Sequence, residues 1–288
     1  MKDKKLYITD LDGTLLREDG SLSPFCKRTL QEMMAADLPF TVASARSVFS
    51  MQDLLRGLTF TLPIIAINGG SISDLATGAH YVINEIRTEV STDLLSMIAD
   101  SGFAPYVSTF NGKKDCLYYN RIVNKGMQWY LDDRKNARDS RLHYLETLSA
   151  SLADQVICII VMGKAAPLSD LRETIHEKHG SRLMTQFYEN QYSRGWFWLS
   201  IHDARATKGQ ALRTLVDRWG LKDRELVVFG DAENDIEMFQ EADRAIAVAN
   251  AESALKIHAT EIIGPNRDDS VVRFIAAETG LAARPIPN

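Results

Sequence analysis

The chain has 288 residues, 45% of them hydrophobic and 25% charged, which describes a soluble globular protein larger than one ordinary core serves. Its formal net charge of -5 offers no general basic surface, which argues against nucleic acid as a partner. The three cysteines, Cys26, Cys116 and Cys158, are widely spaced and lack metal-type spacing, so a reduced, cytoplasmic setting is expected.

The N-terminal Met-Lys-Asp-Lys-Lys shows no long apolar segment or cleavage site and runs straight into a predicted strand, Leu6–Thr9. That strand breaks into two carboxylates, Asp10 and Asp12. Packing two anions beside an apolar run is costly, and a bound cation would remove much of that cost. It would leave one carboxylate free to attack and the other to trade a proton, which suits phosphoryl transfer. Next come a helix opened by Ser23-Pro24 and reaching about Ala36, a strand Phe40–Ala43, and a helix Ser47–Leu55. A strand Ile64–Ile67 then ends at Asn68-Gly69-Gly70. Short apolar strands alternating with amphipathic helices predict a parallel sheet covered on both faces. Ligands of such sheets sit at the carboxyl ends of strands, where Asp10, Ser44 and Asn68 fall.

From about Asn84 to His202 the pattern changes. Helix Thr92–Ser101, strands Tyr106–Thr109 and Cys116–Asn120, and one or two helices between Asn124 and Ala153 are expected. Strand Val156–Met162 follows; it is the most apolar stretch and far too short to span a bilayer, so no membrane role is expected. Helix Leu168–His179 and strands Arg182–Tyr188 and Trp196–His202 complete an α+β unit with a largely antiparallel sheet. The first pattern then returns with helix Lys208–Trp219, strand Leu226–Phe229, a helix from about Asn234 and strand Arg244–Val248. Residues 1–83 with 203–288 are thus expected as one core and 84–202 as an insertion, placed where a lid would be useful.

Four separated signals line up: Asp10-x-Asp12-x-Thr14, Ser44-Ala45-Arg46, Lys208-Gly209, and Gly230-Asp231-x-x-Asn234-Asp235. In this order they resemble the haloacid dehalogenase-like hydrolases, specifically the Cof-type sugar-phosphatase branch. The resemblance covers nearly the whole chain and is strongest at residues 5–16 and from Lys208 to Asn250-Ala251. It implies an α/β fold: a doubly wound, Rossmann-like parallel sheet with an inserted α+β cap domain. It further implies a Mg2+-dependent phosphatase acting on a small phosphorylated metabolite such as a sugar phosphate, through an aspartyl-phosphate. Asp10 would be the nucleophile and Asp12 the acid and base. The ion would be held by Asp10, Asp231 and the backbone carbonyl of Asp12. Ser44 and Lys208 would bind the transferring phosphoryl group, and Asn234 and Asp235 would hold the ion's waters or orient Lys208. Arg46 and Asn68 are candidates for the substrate side.

Two motifs depart from the family. Ser44-Ala45-Arg46 stands where the family often has Thr-Gly-Arg, and Val248-Ala249-Asn250-Ala251 where it often has Met-Gly-Asn-Ala. The first keeps a hydroxyl but could move Arg46; the second suggests only a packing variation. In the insertion, Tyr188, Tyr192, Arg194, Trp196 and Trp198 could contact a leaving group, although hairpin packing explains them as well. A phosphomutase using the same Asp10 is the alternative enzyme reading, and a phospho-acceptor signalling domain is a remoter one. An apolar cap surface could support a homodimer.

Overall fold

The computed structural model describes residues 4–190 and 193–281. The chain divides into two compact units, Met1–Val82 with Thr207–Asn288, and Ile83–Ala206. In the first, β1 (Lys4–Thr9) is followed by α1 (Pro24–Ala35), β2 (Phe40–Val42), α2 (Val48–Leu54) and β3 (Ile64–Ala66). Ser23 starts α1 because its Oγ accepts from Cys26 N at 2.8 Å, and Pro24 has no N–H to satisfy at the first turn. Two short strands absent from the sequence reading follow, β4 (Ser71–Ser73) and β5 (His80–Ile83). β4, Ser-Ile-Ser, has no apolar run, and β5, His-Tyr-Val-Ile, has one too short to mark a strand by itself; β3, β4 and β5 make a small three-stranded sheet.

The second unit contains α3 (Thr88–Asp100), β6 (Pro105–Phe110), β7 (Asp115–Tyr119), α4 (Lys125–Asn136) and β8 (Leu142–Tyr144). Between Asn124 and Ala153 there is therefore one α-helix, then a short strand and a 3-10 turn at Leu148–Ala153. It continues with β9 (Gln155–Gly163), α5 (Ala165–His179), β10 (Leu183–Glu189) and β11 (Phe197–Asp203). The six strands run β10-β11-β9-β6-β7-β8 and are antiparallel except for β7 with β8. Alternation along β9 sends Ile159 and Val161 into the core with Leu94, Ile98, Leu168 and Ile175 of α3 and α5. Met162, with opposite parity, packs with Tyr106 and with Met127, Tyr130 and Leu131 of α4.

The chain returns to the first unit with α6 (Lys208–Arg218), β12 (Arg224–Gly230), α7 (Ile236–Glu241), β13 (Arg244–Val248), α8 (Ser253–Lys256), β14 (Glu261–Ile263) and α9 (Ser270–Thr279). The segment from Asn234 opens as a 3-10 turn, Glu233–Asp235, before α7 begins. The core sheet is parallel in the order β14-β13-β12-β1-β2, and a single bridge between Ala43 and Ile65 joins β3 beside β2. From β1 the chain thus steps one way to β2 and later the other way, from β12 to β13. Right-handed crossovers in opposite directions place helices on both faces, the doubly wound arrangement. The order reverses between β1 and β12, and this is where such sheets open a crevice at their carboxyl ends. Among the described residues no helix is long and apolar enough to cross a membrane.

Candidate active site

Thr9 at the end of β1 pairs with Phe229 of β12, and Asp10 N donates to Phe229 O at 3.0 Å. The residues that follow, Asp10 on one strand and Gly230-Asp231 on its neighbour, are therefore side by side at the reversal point. The turn after Asp10 closes tightly, with Leu16 N donating to Leu11 O at 2.8 Å. Gly13 makes this closure: its φ is +79°, and a Cβ there would lie 2.1 Å from Asp231 Oδ2. Thr14 Oγ1 donates to Asp231 Oδ1 at 2.8 Å, so the turn residue also orients the second carboxylate.

Lys208 stands at the first position of α6, behind the capping hydroxyl of Thr207, which accepts from Gln210 N at 3.1 Å. An ammonium there opposes the helix dipole, and the structure supplies compensation. Lys208 is buried, and its Nζ donates to Asp10 Oδ1 and to Asp235 Oδ1, each at 2.6 Å. The other oxygen of Asp235 accepts from the backbone N–H groups of Asp231 and Ala232 at 3.0 and 3.3 Å. Asp235 thereby braces the loop that carries Asp231.

Carboxylate oxygens of Asp10, Asp231 and Asp235 all lie within 4.8 Å of one another. Three carboxylates against one ammonium leave excess negative charge in a buried place. Burial pushes Asp10 well above the ordinary carboxylate range, and Asp235 and Asp231 push it the same way against the pull of Lys208. Burial, with Asp235 beside it, raises Asp231 to about 7, although its bond from Thr14 works in the opposite direction. For Lys208 burial favours the neutral amine, but Asp10 and Asp235 outweigh it and hold the ammonium charged. A hard divalent cation fits this donor set: oxygen ligands, a charge deficit and a glycine-shaped cradle.

The side chain of Asp12 has a different partner. Its carboxylate receives Nε and Nη2 of Arg46 at 2.7 and 2.6 Å, so its side chain is not among the three converging carboxylates. Ser44, after β2, is fully buried, and its Oγ accepts from Arg46 N at 3.1 Å. Asn68 N donates to Ser44 O at 2.9 Å, and Asn68 Oδ1 accepts from Asn234 Nδ2 at 3.0 Å. These bonds join the loops after β2, β3 and β12. The loop after β3 is strained, with Ile67 and Asn68 both left-handed at φ values of 52° and 53°. Gly69 follows at φ +94°, and a Cβ on it would lie 2.3 Å from Thr207 O, so this loop sits directly against the start of α6.

Asn250 is the residue that sequence reasoning undervalued. Its Nδ2 donates to Gly13 O at 2.8 Å and its Oδ1 accepts from Asn266 N at 2.9 Å, which ties the turn after Asp10 to the tail of the chain. A polar residue just beyond a parallel strand, at the same sheet edge as Asp10 and Asp231, was the available signal. In the second unit, Trp198 packs edge-on against Tyr130 of α4 at 5.0 Å and lies 6.1 Å from Tyr188 across the β10–β11 pair, while Lys164 lies 3.9 Å over Trp196. Tyr192 lies outside the described residues.

Residues 7–275 match the model of the haloacid dehalogenase-like hydrolases. The chain is 26% identical to 5-amino-6-(5-phospho-D-ribitylamino)uracil phosphatase YwtE of Bacillus subtilis, over 94% of this chain and 96% of that one. It is also 26% identical to the HMP-PP phosphatase of an Enterobacter species, over 94% of both. Its fold matches the X-ray structure of TM0651 from Thermotoga maritima with a TM-score of 0.77, at 24% identity, over 95% of this chain and 97% of that one. The chain belongs to the haloacid dehalogenase-like hydrolases, an enzyme family, and its curated relatives are phosphatases, as its four motifs led one to expect.

Proposed function

We propose that this protein is a Mg2+-dependent phosphatase that hydrolyses a small phosphomonoester through a phosphorylated Asp10. The reading is carried by one observation: the buried Lys208 ammonium is pinned at 2.6 Å to both Asp10 and Asp235 where they converge with Asp231. A cation bound by Asp10, Asp231 and the backbone carbonyl of Asp12 would supply the charge that steadies the dianionic phosphate. Lys208 holds Asp10 in one orientation, with the carboxylate oxygen not bonded to the ammonium available for attack on phosphorus. As the Asp10–phosphorus bond forms, the ester P–O bond breaks and Asp12 gives its proton to the departing oxygen. Water then attacks the aspartyl-phosphate, Asp12 takes a proton back, and inorganic phosphate and free Asp10 result. The Ser44 hydroxyl and the Lys208 ammonium stabilise charge on the transferring group, where removing one such donor costs about 3–4 kcal/mol of barrier.

The relatives named for a ribitylaminouracil phosphate and for HMP-PP make small phosphorylated metabolites, sugar phosphates among them, the first substrates to try. A phosphate-release screen over such a panel, with and without Mg2+, tests the proposal. Turnover should need the metal and vanish in Asp10→Asn; activity that survives either change contradicts the mechanism.

A further inference from the structure

Arg46 commits one edge of its guanidinium to a single carboxylate. Nε reaches Asp12 Oδ2 at 2.7 Å and Nη2 reaches Oδ1 at 2.6 Å, the parallel two-bond fork. The backbone that delivers this fork is itself fixed. Arg46 N donates to Ser44 Oγ at 3.1 Å, and Ile67 N donates to Arg46 O at 3.0 Å. The side chains are 27% and 34% exposed, and a pair that open contributes little to stability. What the fork does impose is orientation. It removes the torsional freedom of a carboxyl group, yet each oxygen keeps a second lone pair away from the arginine, where a proton can be carried.

We propose that Arg46 is the positioning residue of the acid–base group: it aims the Asp12 carboxyl at the ester oxygen and acts through Asp12. This rests on the role given to Asp12 above. In the step concerned, the Asp10–phosphorus bond forms, the ester P–O bond breaks, and the proton moves from Asp12 to the leaving oxygen, so the alcohol departs neutral. A lysine in place of Arg46 would supply a point charge without the fork and would aim the group poorly.

The test compares phenyl phosphate with p-nitrophenyl phosphate, which are close in size but differ in how badly the leaving oxygen needs a proton. The readout is the ratio of kcat/KM for the nitrophenyl ester to that for the phenyl ester. Because kcat/KM ends at release of the phenol, the later attack by water does not enter. In Asp12→Asn the ratio should rise by about 10-fold or more, part of the ~10²–10⁴ that a general acid supplies. Arg46→Met and Arg46→Lys should raise it by a similar factor, in the Mg2+-loaded full-length enzyme. If Asp12→Asn raises the ratio and both Arg46 variants keep the wild-type value, whatever their absolute loss, the inference is overturned and Arg46 serves the phosphate or the loop. If Asp12→Asn itself leaves the ratio unchanged, the role of Asp12 fails, and that of Arg46 fails with it.

Discussion

Gly13 approaches Asp231 so closely that any side chain at this position competes with the carboxylate for the same space. Its backbone is left-handed and the added Cβ would lie 2.1 Å from Asp231 Oδ2, so Gly13→Ala must open the turn or displace Asp231. The expected result is a protein that folds but binds Mg2+ at least ~10-fold more weakly, about 1.4 kcal/mol, read by calorimetric titration. An unchanged affinity would mean that Asp231 is not held by this turn. Asp10 and Asp231 were legible as residues because each follows a short apolar strand and precedes a turn or helix, a local pattern. The pairing of Asp12 with Arg46 was not legible, since it joins positions far apart in the chain whose meeting depends on how β1 and β2 register. Neither was the bond of Asn250 to Gly13, which spans nearly the whole sequence.

Among the elements, α6 has the strictest demands. Its first residue must present a buried ammonium, and its cap must hold the helix against the strained loop that ends at Gly69. Thr207 serves the cap: its hydroxyl accepts from Gln210 N at 3.1 Å and donates to Glu237 of α7, while its carbonyl oxygen lies against Gly69. Thr207→Ala should destabilise the protein by about 1–2 kcal/mol, seen as a fall in thermal midpoint of about 2–4 °C per kcal/mol. Thr207→Ser, which keeps the oxygen, should recover most of that loss; equal losses in both variants would point to the methyl group instead. The long strands and helices were readable from apolar spacing and capping residues, as with Ser23 before α1 and the run that became β9. The elements beyond Val248 were not: β14 has only three residues, and Asp269 before α9 is left-handed and makes no capping side-chain bond. A short edge strand is defined by its neighbour more than by its own composition.

At the scale of the whole molecule, the acidic cluster couples proton binding, metal binding and stability. Asp231 is raised from the ordinary 3.8 to about 7, so its contribution is fully present below the ordinary value and is lost as pH rises through 7. An ionised Asp231 then stands beside Asp10 and Asp235, and a bound divalent cation would relieve the charge gathered there. The thermal midpoint with saturating Mg2+ minus that with chelator should therefore be small at pH 5 and grow toward pH 8. A difference that is constant across this range, or that shrinks as pH rises, would contradict the assignment of these carboxylates to the ion.

By itself the sequence determined the alternation of strands and helices and the resemblance to the haloacid dehalogenase-like hydrolases, to which the chain belongs. These are consequences of apolar periodicity and of turn chemistry, which act over a few residues at a time. Only the tertiary structure decided which groups meet: Lys208 between Asp10 and Asp235, Arg46 on Asp12, Asn68 on Asn234, and Asn250 on Gly13. Those contacts depend on the parallel register of β1 with β12 and on loops whose shapes are imposed by their neighbours. Short-range propensity sets which residues end a strand, whereas the partner that a charged side chain finds there is set by strands contributed from elsewhere in the chain.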